Sequence, residues 1–324
     1  MTDTIDRRSF LRSLAVAGLA VTCPKLASGS TEEEADATPL TMPGSQPKGY
    51  PGLAIARGSD DPVRLVTAAV DNLGGMKRFV SKGDVVVVKP NIGWSRTPEQ
   101  AGNTNPQVVE AVVRMCFEAG AKKVKVFDLP CNPAPRTYEM SGIEAAASRA
   151  GAEVSYVDDR KFKETAIPQG DAVKSWKIYT EALDADVLIN VPILKHHSIA
   201  RVTMGMKNHM GLLGGNRGII HINLDHKLAD ISTVIRPRLT ILDAVRVLKA
   251  HGPNSGNPDD VELVKHVIAG ADPIAVDSYG ARLFGEVTGT DLRGRDVGYI
   301  RIGHEMGLGE IDLDKVAQQH IDLG

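Results

Sequence analysis

After Tyr50 the apolar residues alternate between short continuous runs and longer stretches with helical spacing, and this alternation predicts a repeating βαβ plan. Leu53 to Ala56 predicts a strand and Pro62 to Leu73 a helix. Asp84 to Val88 carries the uninterrupted apolar run of a strand buried on both faces, ending at Lys89-Pro90-Asn91. Asn105-Pro106 opens a helix that runs to Glu118 and stops at Gly120, with proline well placed in the first turn. Further strands are predicted at Val124–Asp128, Glu153–Val157, Asp186–Pro192, Arg238–Asp243 and Leu263–Ala269. Ser141-Gly142 leads a helix to Arg149, and Asp272-Pro273 starts one that carries Asp277 and reaches Phe284. Ser198 to Ile235 reads as mostly helical, with a glycine-rich break from Gly211 to Gly218. The expected fold is therefore α/β: a mostly parallel sheet flanked by helices in Rossmann-like layers, as one domain or two intertwined lobes over residues 50–324.

The pattern differs ahead of Tyr50. Arg7-Arg8-Ser9-Phe10-Leu11-Arg12 precedes a short apolar run, Leu14 to Val21, and then small residues around Leu26-Ala27-Ser28-Gly29. That order is the layout of a twin-arginine signal, assigned to residues 1–29. It predicts the export machinery as a partner and a periplasmic or other extracytoplasmic location. Cys23 raises a lipid-anchored form, although Val21-Thr22 is a poor context for one. Residues 30–49, acidic and then rich in Pro, Gly and Ser, read as a flexible tether.

Composition narrows the function classes. With 38 basic and 40 acidic residues the formal net charge is -2, which gives no field to gather nucleic acid, and aromatics at 4% leave few platforms for base stacking. After the signal only Cys116 and Cys131 remain, so four thiolates for an iron-sulfur cluster are not available from this chain.

The candidate chemistry gathers where strands end, because open parallel sheets place ligands beyond the carboxyl ends of their strands. Lys89 and Asn91, Asp128, Lys195-His196-His197, Asp243 and Asp272 all fall at such ends. Lys207-Asn208 closes a helix that runs into Gly211, Gly214 and Gly215, a setting that offers a cation and backbone N–H groups to an anion; ordinary helix termination explains the glycines but not the Lys-Asn pair. Five of the nine histidines, at 196, 197, 209, 221 and 226, lie within 31 residues, so a divalent metal is one reading of them. No HxxxH or HExxH spacing supports it, and hydrogen bonding to an anion or a structural role are the others. Ala250 to Pro258, built almost wholly of turn residues, is a candidate wall or lid.

These motifs together resemble the family catalogued as domain of unknown function 362. The resemblance rests on Val-Val-Lys-Pro-Asn ending at Asn91, Thr104-Asn105-Pro106, Leu194-Lys195-His196-His197, and Thr203 through Lys207-Asn208 to Gly211. Ile241-Leu242-Asp243, the Gly252-Pro253-x-x-Gly256-x-Pro258 loop and Ala271 to Asp277 complete it, so that it spans about Leu53 to Gly309. It implies no settled reaction. Many relatives carry an added ferredoxin-like cysteine segment that this chain lacks, and the family's Lys-Thr-His reads Lys195-His196-His197 here.

The expectation is a site for a small carboxylate or phosphate compound. Lys89, Lys195 and Lys207 clamp it and Asn91 and Asn208 orient it. His197 is the acid/base, supported by Asp243 and Asp272, with His196, His209 and Asp277 as metal ligands. The alternative is a non-catalytic periplasmic binding or accessory protein linked to redox complexes.

Overall fold

The computed structural model describes Tyr50–Gly324; the signal and tether assigned to residues 1–49 lie outside the described residues. The elements run β1 (Leu53–Arg57), α1 (Pro62–Asn72), β2 (Val85–Pro90), α2 (Pro106–Ala119), β3 (Lys123–Val126), α3 (Ala134–Ser141), α4 (Ile143–Arg149) and β4 (Glu153–Val154). A separate hairpin follows, β5 (Phe162–Ala166) with β6 (Ser175–Tyr179), then α5 (Thr180–Leu183), β7 (Val187–Val191), β8 (Ile193–His197), β9 (Arg201–Thr203), α6 (Gly205–Asn208) and α7 (Leu224–Ser232). The chain closes with β10 (Leu239–Leu248), β11 (Val261–Gly270), α8 (Pro273–Thr288), α9 (Gly298–Glu305) and β12 (Gln318–Asp322).

One mixed sheet organises these elements in the order β12-β1-β11-β10-β7-β2-β3-β4. From β10 through β4 every neighbouring pair is parallel, while β11 runs against both β10 and β1. Each face of the sheet has its own apolar layer. Val86 and Val88 pack with the Val and Leu side chains of α1 and α2, whereas Val87 points to the opposite layer with residues of α7, α8 and α9. Two-sided burial is why this strand reads as an unbroken apolar run rather than an alternating one.

Helix starts follow their caps. Asn105 accepts from the Gln107 N–H ahead of Pro106, and α2 ends on Gly120 at φ 105°, a left-handed conformation that disfavours a side chain. Asp272 caps α8 in the same way, accepting from Ile274 and Ala275.

The structure corrects four expectations. Lys195-His196-His197 do not hang from a strand end but lie within β8. Pro192, which has no N–H for the ladder, ends the pairing of β7 with β2, and the chain resumes beside β10 and β9. Asp243 is likewise inside a strand, since β10 continues to Leu248 through an irregularity between Ala244 and Arg246. The predicted strand at Glu153–Val157 is only Glu153–Val154. The stretch from Ser198 to Ile235 holds β9, the one-turn α6 and 3-10 turns before α7, because Arg201, Gly215 and Asn223 take left-handed φ of 63°, 70° and 60°, which a continuous helix does not accommodate. The hairpin, α3, α9 and β12 were not foreseen. No helix among the described residues is long and apolar enough to cross a membrane.

Candidate functional site

At the carboxyl ends of β2, β3 and β7 the sheet delivers a group of buried cations. Lys89, the penultimate residue of β2, is 1% exposed and pairs with Asp128, just past β3, at 2.8 Å. Burial lowers the Lys89 pKa and the Asp128 charge opposes that shift. Asp128 also accepts from the backbone N–H groups of Ile92 at 2.6 Å and Leu129 at 3.0 Å, so its charge is fully engaged. Gly211 closes over this pair; a Cβ there would lie 1.6 Å from Asp128 Oδ1. The glycine is thus required by close approach rather than by φ.

The next two lysines differ from Lys89. Lys195 Nζ donates to Gly102 O at 2.6 Å and Asn91 Oδ1 at 3.1 Å, both uncharged. Lys207 Nζ has Met210 Sδ at 2.9 Å as its polar contact. Among the described residues neither has a carboxylate within ion-pairing distance, though they are only 1% and 8% exposed. Burial, followed by the neighbouring Lys207 charge, holds the Lys195 pKa at about 7. Burial likewise brings Lys207 to about 8, with Arg217 and Lys89 adding to the depression and Cys131 opposing it.

A directed line of amides ties the cluster together. Lys195 donates to Asn91 Oδ1, Asn91 Nδ2 to Asn208 Oδ1 at 3.0 Å, Asn208 Nδ2 to Asn190 Oδ1 at 2.8 Å, and Asn190 Nδ2 to Gly205 O at 3.0 Å. Lys89 adds a second donor to Asn208 Oδ1 at 3.0 Å. Thr104 anchors Asn91 by accepting its N–H at 2.8 Å while donating to Val191 O at 2.7 Å.

His197 borders the cluster. Its Nδ1 accepts from the Ile199 and Ala200 N–H groups, each at 3.2 Å, so the proton of the neutral ring sits on Nε2. Burial, then Lys207 and Lys195, lowers its pKa to about 3. The ring stacks on His221 at 6.0 Å between centroids. The loop from Ala250 to Pro258 forms a wall: Gly252 N donates to His196 Nδ1 at 3.0 Å, and Arg96 and Gln100 donate to its carbonyls at Asn254 and Gly256.

Lys89, Asn91, Lys195, Lys207, Asn208 and His197 are thus brought together, and the aspartates expected to support His197 are not among them. Asp243 accepts from Asn105 N at 2.7 Å and Val245 N at 2.9 Å, joining β10 to the start of α2; burial raises its pKa to about 6. Asp272 is occupied by Ile274, Ala275 and Glu310 N–H groups. Asp277 accepts from Gly205 at 2.7 Å and Met206 at 3.0 Å, and burial pushes it up to about 7. The expected metal set of His196, His209 and Asp277 is not assembled either. His196 faces Gly252 and His209 Nδ1 bonds Ser232 Oγ at 3.0 Å. Among the described residues no three His, Cys, Asp or Glu side chains are grouped to hold a metal.

Several participants escaped the sequence reading or were noticed only in part. Asp128 was noticed only as a strand-end acid, and His221 only as one of the five clustered histidines. Asn190 was legible as one polar residue inside the apolar run Val187–Val191, a position that demands a buried partner. Arg217, which donates to Leu129 O and Pro130 O, carried no distinguishing pattern.

A chain with this layered sheet and cation-lined edge matches a recognised family: residues 86–282 fit the model described as domain of unknown function (DUF362). The protein belongs to that family. A thylakoid-associated protein of Synechocystis sp. is 31% identical over 216 residues, which cover 64% of this chain and 65% of that relative, a little under two thirds of its length. Among solved structures, the lactate racemase apoprotein of Thermoanaerobacterium thermosaccharolyticum aligns at TM-score 0.41 and 12% identity over 68% of this chain and 54% of its own. A protein of Thermotoga maritima aligns at TM-score 0.41 and 12% identity, over 77% and 60% respectively.

Proposed function

We propose that this protein is exported by the twin-arginine route and binds a small carboxylate or phosphate compound at its lysine cluster. One observation carries the reading: among the described residues Lys195 and Lys207 are buried without a carboxylate partner. Buried charges are otherwise paired, and an anion entering between them supplies the missing countercharge. Lys89, already paired with Asp128, and the amides of Asn91 and Asn208 hold the lysines in place rather than meeting the compound first. His197 presents Nε2–H to the bound anion as a hydrogen-bond donor. An anion beside it raises its depressed pKa and brings it into the range of an acid/base catalyst. A divalent metal in this reading draws ligands from the bound compound as well as from the protein.

The second reading, a non-catalytic binding or accessory protein linked to redox complexes, is favoured by the same histidine. With its pKa at about 3 and no carboxylate to orient it, unliganded His197 accepts no proton near neutrality.

Thermal unfolding of the mature protein with phosphate, acetate, pyruvate and chloride tests the proposal. A concentration-dependent rise in Tm with one of the first three, absent with chloride and lost in Lys207→Met, is expected. Equal response to all four salts, or the same response in the variant, defeats it. Titration of His197 by NMR with and without the stabilising anion then separates catalyst from binder.

A further inference from the structure

Lys195 differs from its neighbours in how its nitrogen is hydrogen-bonded. A neutral amine has two N–H bonds and one lone pair, whereas an ammonium has three donors and no lone pair. Around Lys195 Nζ there are two acceptors, Gly102 O and Asn91 Oδ1, and neither is charged. A neutral amine satisfies both and keeps its lone pair free. An ammonium leaves a third donor without an acceptor and a charge without a counter-ion. Lys89 presents the contrast, because Asp128, Asn208 Oδ1 and Pro90 O give it three acceptors, one of them charged.

The groups around Lys195 suit the same chemistry. Lys207 is a second cation on the cluster, free of a carboxylate and able to meet a carboxylate or phosphate or to give up a proton. His197, whose Nδ1 is taken up by backbone N–H groups, carries its proton on Nε2 at the border of the cluster. A desolvated lysine beside another cation is the arrangement that makes an amine nucleophilic at neutral pH.

We propose that Lys195 is a nucleophilic amine that forms an imine with an anion bearing an aldehyde or ketone carbon, such as a 2-oxo acid. This rests on the reading of the cluster as an anion site and names the class of compound it takes. The Nζ lone pair forms a bond to the carbonyl carbon as the C=O π pair moves to oxygen. Transfer of one N–H proton to that oxygen gives a carbinolamine. A proton from the Lys207 ammonium then lets the oxygen leave as water while the nitrogen lone pair closes the C=N⁺ bond. One carbonyl, one amine and one proton become one iminium and one water, with no change of oxidation state. The iminium withdraws electrons from the adjoining C–H or C–C bond, so proton transfer or bond cleavage next to the carbonyl is the class of reaction served.

Trapping decides the matter. The mature protein is incubated with pyruvate or glyoxylate, reduced with borohydride and mapped by peptide mass spectrometry, beside calorimetric titration with pyruvate and with phosphate. The expected result is a single stable secondary amine at Lys195, suppressed by competing phosphate and absent from Lys195→Arg. Circular dichroism and the unfolding midpoint without added anion show that this variant is folded. Binding of pyruvate and phosphate without any adduct overturns the imine and leaves the anion site standing. Neither binding nor adduct removes both. An adduct confined to other lysines, or unchanged in Lys195→Arg, overturns the assignment to Lys195.

Discussion

At the scale of single residues, the three lysines are not equivalent, and each difference has a measurable sign. Among the described residues Lys207 has no carboxylate partner, so Lys207→Met is expected to stabilise the protein by about 2 kcal/mol at pH 7 while abolishing stabilisation by anions. Urea unfolding with and without phosphate reads both effects. Asp128→Asn acts in the opposite direction. It strands Lys89 as an uncompensated buried charge and is expected to cost about 3–5 kcal/mol, read from the urea midpoint. His197 shows why residue type alone misleads. Histidine ordinarily titrates near neutrality, but burial, with the cations of the cluster adding to it, keeps this ring neutral.

Among the elements, α6 is short and would not persist alone, and what holds it is the Asp277 carboxyl on α8 accepting from Gly205 and Met206. Burial raises the Asp277 pKa from its ordinary value to about 7. A carboxyl with a raised folded pKa binds more protons folded than unfolded, so its contribution to stability falls as pH rises from about 4 to about 7. Asp277→Asn is expected to flatten the stability profile in that window, and equilibrium unfolding at several pH values checks it. The same elements show what was legible in the chain. β2, α2 and α8 were readable because apolar run, proline and cap residue agree locally. The hairpin β5–β6 was not, because its strands mix exposed, half-buried and buried positions and carry the mixed polarity of a loop. Asp243, Asp272 and Asp277 were picked out in the sequence as site acids. Their partners are backbone N–H groups brought from elsewhere, which no spacing along the chain reveals.

For the whole molecule, the depressed lysines couple ligand to proton. Lys195 at about 7 and Lys207 at about 8 are partly deprotonated above neutrality, whereas an anion prefers them charged. Affinity is therefore expected to fall above pH 8 by about tenfold per pH unit for each linked proton, with proton uptake on binding. Calorimetry in buffers of different ionisation enthalpy measures the uptake directly, and binding without it contradicts the charge argument. The proposed export has its own test. Replacing Arg7-Arg8 with Lys-Lys is expected to leave the full-length protein in the cytoplasm, as fractionation and immunoblotting would show.

The amide line from Lys195 to Gly205 has a direction, since every donor points away from the lysine toward α6. Amides have no proton to spare, so the line conducts no charge, and turning one member around would set like dipole against like at both its neighbours. It resembles a row of compass needles: all follow the first, or none does. The line thereby joins the Lys195 amine to the short turn that carries Lys207, two groups that share no direct hydrogen bond.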